Sequence, residues 1–203
     1  MLILGTTRLT FTKSKGNFHC PQCTKELPYR HRTVRNFFTV YFIPLIPLNL
    51  ESEYVECGQC RGKFEPSVVN VSAEEFVAMQ KQATYELIRR GLVTILVLDD
   101  LVSDEELDII RDFVRDHMQR DIDNDHILSE AARVQQMGVS PADYITGISP
   151  ELDQTDRDLF VRYAFLLATA NGELDEAHQQ LLVELPKLIG MDEARYRDII
   201  AGL

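Results

Sequence analysis

The sequence has no low-complexity tract, no glycine-rich phosphate loop, no Gly-x-Ser-x-Gly elbow and no His-Glu-x-x-His helix. The first absence argues against wholesale disorder, because a chain of 203 residues that is 45% hydrophobic can bury a core in one or two domains. The others remove the familiar signatures of nucleotide hydrolysis, acyl transfer and zinc proteolysis. Long apolar runs are missing as well. The longest, residues 37–48, contains Pro44 and Pro47 and is too short for a membrane helix, so no transmembrane segment is expected. Residues 1–4 are apolar, but Gly5-Thr6-Thr7-Arg8 interrupts them and no charged leader is present. No export signal is therefore expected, and a reducing, cytoplasmic setting is.

Cysteine is absent outside two Cys-x-x-Cys pairs, Cys20/Cys23 and Cys57/Cys60. Each such turn aims two sulfurs at one point, and two turns joined by a hairpin offer the tetrahedral thiolate set that structural zinc takes. In a reducing compartment metal binding outranks a pair of disulfides. A thioredoxin-type redox pair would need to open a helix in a βαβ unit, which neither pair does. Gly58 is expected to supply a positive φ in the second turn. His19 adjoins Cys20, but four sulfurs already close the shell, so it is expected to tune the ligands or face water. A closed shell has no open coordination position, and the metal is expected to hold structure rather than activate water.

Charge divides the chain. Residues 1–70 carry nine Lys/Arg against five Asp/Glu, and residues 71–203 carry twelve against twenty-seven, for a net charge of −11. The acidic part would repel nucleic acid and anionic surfaces, so a nucleic-acid partner is disfavoured. Within the basic part, Arg30, His31, Arg32 and Arg35 precede Phe37, Phe38, Tyr41 and Phe42. That pattern suits single-stranded nucleic acid, though the aromatics are needed equally for the stability of so small a domain.

Short strands are expected at residues 2–4 and 8–12, before the first cysteine turn. Cys20-Pro21-x-Cys23, the Phe-Ile-Pro-Leu-Ile-Pro-Leu run of residues 42–48 and Cys57-x-x-Cys60 together resemble a family of small zinc ribbons. The resemblance covers about residues 17–65 and implies a structural zinc, a scaffold or recognition role, and no reaction. With 33 residues between Cys23 and Cys57, the hairpin is expected to be extended, with the proline-containing run covering one side of the metal turns.

From Ser72 the pattern becomes helical. Ser72-x-x-Glu75 and Ser103-x-x-Glu106 read as capping boxes, Gly91 as a kink or stop, and Gly138 and Gly190 as helix ends. Further helices are expected near 127–137, 142–146, 155–170, 175–189 and 192–201. The class is therefore α+β: a β-rich zinc ribbon over 1–70 followed by an all-α bundle over 71–203. Residues 98–106 repeat weakly at 170–178, each copy reading as helix, acidic turn, helix, with Val102 and Leu174 plugging the two junctions.

At these residues the body resembles the tellurite-resistance TerB-like family, whose paired Ala-Asp-Gly-type turns sit in a compact helical bundle. In the family pattern Asp99 and Glu106 form one acidic pair, while Asn171 and His178 replace the second. The resemblance implies a possible divalent-cation site at Asp99 and Glu106. The competing assignment for Glu106 is capping of its helix with Ser103. His117 and His126 flank an acidic run at 121–125, read either as a metal or proton-transfer site or as a solvated loop.

These features support a two-domain cytoplasmic protein with one structural zinc, acting as a non-catalytic scaffold or adaptor for a protein partner. A link to metal or envelope stress follows from the resemblance. Divalent-metal sensing by the helical body and nucleic-acid binding by the ribbon are the alternatives.

Overall fold

The computed structural model describes residues 4–41, 43–98, 102–172 and 174–203. It contains two compact units, Met1–Gln80 and Lys81–Leu203.

The first unit is built on an antiparallel meander: β1 (Leu4–Cys20), β2 (Lys25–Val40), β3 (Ile43–Cys57) and β4 (Lys63–Phe64), hydrogen-bonded in that order. β1 runs unbroken from Leu4, because Gly5, Thr6 and Thr7 stay in register with Thr39, Phe38 and Phe37 of β2. The strand expected at residues 8–12 is thus part of one strand of 17 residues, while residues 2 and 3 of the other expected strand lie outside the described residues. Its register slips once, between Thr12 and Ser14. β3 slips three times against β2, on either side of Arg35 and between Phe38 and Thr39, as the bulge-prone, proline-containing stretch adds residues on its side.

The buried apolar residues of this unit gather at one end. Phe18, Cys20, Val55 and Cys57 are buried, with Leu27, Tyr29, Phe64, Val68 and Val69 packed on them. Val68 and Val69 belong to a short 3-10 turn, Pro66–Asn70. Residues 43–48 of the proline-containing run lie at the other end; Phe42 is outside the described residues. Ile43 pairs with Val40 beside the β2–β3 turn, 14 residues along β3 from Cys57, which at a rise of ~3.3 Å per residue is roughly 45 Å. The run therefore does not cover the metal turns. Length is the reason: a hairpin this extended carries its turn away from its base.

Among the described residues seven α-helices follow: α1 (Ala73–Leu96), α2 (Asp104–Met118), α3 (Asn124–Met137), α4 (Pro141–Ile148), α5 (Gln154–Ala168), α6 (Glu176–Leu188) and α7 (Glu193–Ala201). Their starts follow local chemistry. Ser72 and Glu75 exchange hydrogen bonds ahead of α1, Ser103/Glu106 and Asp153/Asp156 form full capping boxes on α2 and α5, and Asp123, Asp175 and Asp192 cap α3, α6 and α7. Gly138 and Gly190 follow α3 and α6 with φ of 63° and 67°, the left-handed stop expected of them.

Gly91 does not end α1. The helix continues through it, and a Cβ there would lie 2.6 Å from Cε2 of Phe160. The residue is small because α5 passes close. Around that crossing Ile88, Leu92, Ile95 and Leu96 of α1 meet Ile110, Phe113 and Val114 of α2, with Ile145, Phe160, Leu167 and Leu185 from later helices. α6 tolerates Pro186 near its end. The carbonyl of Leu182, which the missing N–H would have served, accepts instead from the Tyr196 hydroxyl at 2.8 Å.

Candidate metal centre

The two cysteine turns have the same local construction. Thr24 and Arg61 each follow the second cysteine of a pair, and each is left-handed, with φ of 55° and 58°. Their N–H groups donate to the carbonyls of Cys20 at 2.9 Å and Cys57 at 3.1 Å. Gly58 has no positive φ, contrary to expectation. It is required by space, since a Cβ would stand 2.9 Å from the Pro28 carbonyl oxygen, to which the Gly58 N–H already donates at 2.8 Å. Nothing in the residue types of Thr24 and Arg61 marks them as left-handed. Their shared place after a Cys-x-x-Cys pair is the usable signal.

These turns bring together all four predicted ligands. One Sγ from each of Cys20, Cys23, Cys57 and Cys60 lies within 4.8 Å of the others, with Cys20 and Cys60 Sγ 3.8 Å apart. A tetrahedral zinc with Zn–S bonds of ~2.3 Å needs sulfur–sulfur edges of about 3.8 Å, so the cradle fits that ion. None of the four is disulfide-bonded. Cys20 and Cys57 are buried, Cys23 and Cys60 partly exposed. The Gln59 N–H approaches Cys57 Sγ, and the Gly62 N–H approaches Cys60 Sγ, both at 3.4 Å. Such amides stabilise negative sulfur and orient its lone pairs toward the centre.

Without a cation, four adjacent thiols cannot all ionise. Burial pushes the Cys23 thiol up to about 12, helped by hydrogen bonds with the Cys60 and Cys20 sulfurs, and burial also raises Cys20. At Cys57 burial acts upward too, but the backbone N–H groups of Gln59 and Cys60 outweigh it and bring the thiol down to about 7. The cluster thus has a thiolate ready at Cys57 near neutrality. A bound zinc would supply the charge that lets the other three follow.

Other predicted ligands are placed elsewhere. His19 stands against the ring of Phe76, centroids 4.9 Å apart, outside the thiol cluster. Asp99 lies outside the described residues. Glu106 is buried and committed to its cap: it accepts from the Ser103 N–H at 2.7 Å and the Ser103 hydroxyl at 3.0 Å. His178, its counterpart in the repeat, is also buried and has Nδ1 2.9 Å from the N-cap carboxylate of Asp175. The repeat is real in this sense: both copies fold the third residue of a helix back onto its cap. Asn171 is exposed, Gly172 takes the left-handed φ of 76°, and Val102 packs on the core. Leu174 is 36% exposed rather than filling a junction; it directly precedes the Asp175 cap, and its carbonyl accepts from the exposed Gln179 side chain at 2.9 Å.

His117 is held among the rings of Tyr85, Phe113 and Tyr163, with Tyr163 Oη 3.3 Å from Nε2. His126 is exposed on α3. Among the described residues, the four cysteines are the group that could hold a metal ion. A second cation is therefore not supported, and the carboxylates proposed for it serve helix starts where they are described.

The body also contains a cleft of about 410 Å³ that sequence reading missed, lined in part by Glu86, Arg89, Arg90, His126, Glu130 and Arg133. Arg89 is buried and bridges Glu86 at 2.7 Å and Glu130 at 2.6 Å. Its own burial works against the charge, and the two carboxylates more than restore it, raising the guanidinium above its ordinary value. Its lining comes from α1 and α3, with Val139 and Tyr144 beyond them, so no local motif announces it.

Residues 18–85 match a zinc-ribbon family model, and residues 89–201 match the model for the tellurite resistance protein TerB. Neither the curated proteins nor the solved structures give a match.

Proposed function

The chain belongs to the tellurite-resistance TerB family through residues 89–201, and from that premise we propose that it is a non-catalytic adaptor whose metal site is structural. The observation that carries this reading is the closed shell. Four sulfurs converge within 4.8 Å, which fills a tetrahedral zinc and leaves no position for water or substrate. Zinc in this place ties the end of β1 to β2 and the end of β3 to β4, fixing the base of a sheet that has few buried side chains of its own.

The ionic groups in the body support the same reading. Arg89 is matched by Glu86 and Glu130, Glu106 by Ser103, and Asp156 by Lys81 and the Asp153 cap. Each of these three buried charges is satisfied by a fold-forming partner, which suits a rigid recognition surface better than a reacting centre. The mixed-charge cleft beside Arg89 is the place on the body for a protein partner that presents both signs of charge. A cytoplasmic setting and a part in metal or envelope stress belong to this proposal. The rival nucleic-acid reading is weakened by Arg32, whose guanidinium is taken up by Glu56 at 2.8 Å and Thr12 at 2.9 Å.

The test is in-cell crosslinking with the intact protein, Cys57→Ser, and Arg133→Glu. An adaptor yields discrete crosslinked partners that Arg133→Glu or Cys57→Ser removes. A set of partners indifferent to both changes, or turnover of any small molecule by the zinc-loaded protein, contradicts it.

A further inference from the structure

The far end of the three long strands is apolar on both faces and uncovered. β2 keeps its alternation throughout, so Phe37 and Phe38 point to opposite sides. Beside Phe37 stand Pro47, its pairing partner, and Phe11, whose ring centroid is 5.7 Å away. Beside Phe38 stand Ile46, its partner, and the Val40–Ile43 pair. Exposure is high: 58% for Ile43 and Leu45, 55% for Ile46 and 52% for Tyr41. Among the described residues, the buried apolar side chains of this unit are at the opposite end. A surface of this kind, concentrated at one tip, marks a contact.

Three observations select what covers it. Apolar side chains emerge on two opposite faces, whereas a second sheet or a second copy packed face to face would cover only one. The β3 edge is broken by Pro44 and Pro47, which lack N–H donors, and by bulges around them, so strand addition along that edge is blocked and only the β1 edge could pair with another chain. Finally, the arm is free of carboxylates where it is apolar. Residues 4–25 and 27–50 contain no Asp or Glu, while Arg8, Lys13, Lys15, Lys25, Arg30 and Arg35 lie along them. Further along β3, Glu51 and Glu53 pair with Arg8 at 2.9 Å and Lys13 at 3.2 Å, so the shaft is net cationic rather than acid-free, and an apolar tip on such a shaft complements a layer of hydrocarbon beneath anionic phosphates.

We propose that this tip, centred on Tyr41, Ile43, Leu45 and Ile46, inserts into the interfacial layer of an anionic phospholipid bilayer, with the zinc-tied base held away from it. Insertion is shallow. From the turn to Phe37 and Pro47 is three or four residues of strand, about 10–13 Å, which reaches the headgroup–acyl boundary. An open sheet cannot go deeper, because its unpaired backbone groups would enter hydrocarbon. The two prolines lower that cost by removing donors at the edge that enters. The proposal is independent of the adaptor reading and of any partner of the helical body.

The chain has no tryptophan, so Ile46→Trp places a single reporter at the tip of the full-length, zinc-loaded protein. With vesicles of phosphatidylcholine and phosphatidylglycerol, the proposal expects co-sedimentation and a blue-shifted emission that brominated lipid quenches. The double change Ile43→Ser/Leu45→Ser alters only exposed side chains, and it should keep zinc content and circular dichroism while weakening co-sedimentation about tenfold or more. Arg35→Gln, or salt raised from about 50 to about 500 mM, should weaken it further by screening the headgroup attraction. Failure of the zinc-loaded protein to bind such vesicles overturns the proposal. So does equal binding to purely zwitterionic vesicles, or a concentration-dependent dimer in lipid-free solution that the double change abolishes, since the tip would then be covered by a second copy.

Discussion

Gly91 and Phe160 meet so closely that a Cβ on residue 91 would stand 2.6 Å from Cε2 of the ring. The contact lies within the buried core of the helical body, to which α1 and α5 both contribute. Gly91→Ala gains about 1 kcal/mol of helix propensity, but the overlap forces the ring or the helix to shift at about 1–3 kcal/mol. The net expectation is a lower urea midpoint for loss of helical circular dichroism. Phe160→Leu makes room, so the double variant should be more stable than the sum of the two single effects implies. Strict additivity would show that the crossing does not set the residue.

Tyr196 substitutes for the hydrogen bond that Pro186 cannot make. Tyr196→Phe strands the Leu182 carbonyl and should lower stability by about 1 kcal/mol. In a Pro186→Ala background an N–H is again available to that carbonyl, and the same change should have a smaller effect. A double-mutant cycle by chemical denaturation measures the coupling.

The Glu106 carboxylate is buried in a capping box with Ser103. Ser103→Ala should destabilise the body by about 1 kcal/mol. Thermal melts of the wild-type protein should be unchanged by millimolar Ca²⁺ or Mg²⁺. A rise in melting temperature with either ion that Glu106→Gln abolishes would restore a cation to this position.

His117 titrates below the ordinary histidine value because burial among Tyr85, Phe113 and Tyr163 disfavours the imidazolium, with Asp116 opposing more weakly. The unfolded chain then binds the proton more readily than the folded one. Stability contributed by His117 is present above the unfolded value near 6.5 and is lost as pH falls toward the depressed folded value. Urea midpoints taken between about pH 7.5 and 5 should fall, and His117→Phe should flatten that part of the profile.

Much of the metal centre was legible in the sequence because its information is local. A Cys-x-x-Cys pair fixes two sulfurs in one turn, and the caps at Ser72, Ser103 and Asp175 need only neighbours three residues away. What was not legible depends on distant partners. β1 looked broken at Gly5-Thr6-Thr7, yet pairing with Phe37, Phe38 and Thr39 carries it through. Gly58 and Gly91 looked like conformational residues, and both prove to be spatial ones, set by Pro28 and Phe160. The proline-containing run was assigned to the metal turns because it lies between them in sequence. Strand length places it at the other end of the sheet instead. The cleft at Arg89 needed α1 and α3 brought together before it could be seen.

Elemental analysis of purified, untagged protein, followed by chelation under reducing conditions, tests the thiolate centre most directly. The structure predicts about one zinc per chain and a β-sheet signal that collapses as the metal is withdrawn, while the helical signal of the body persists. Protein that carries no transition metal, reacts at all four thiols and keeps its sheet intact would contradict it.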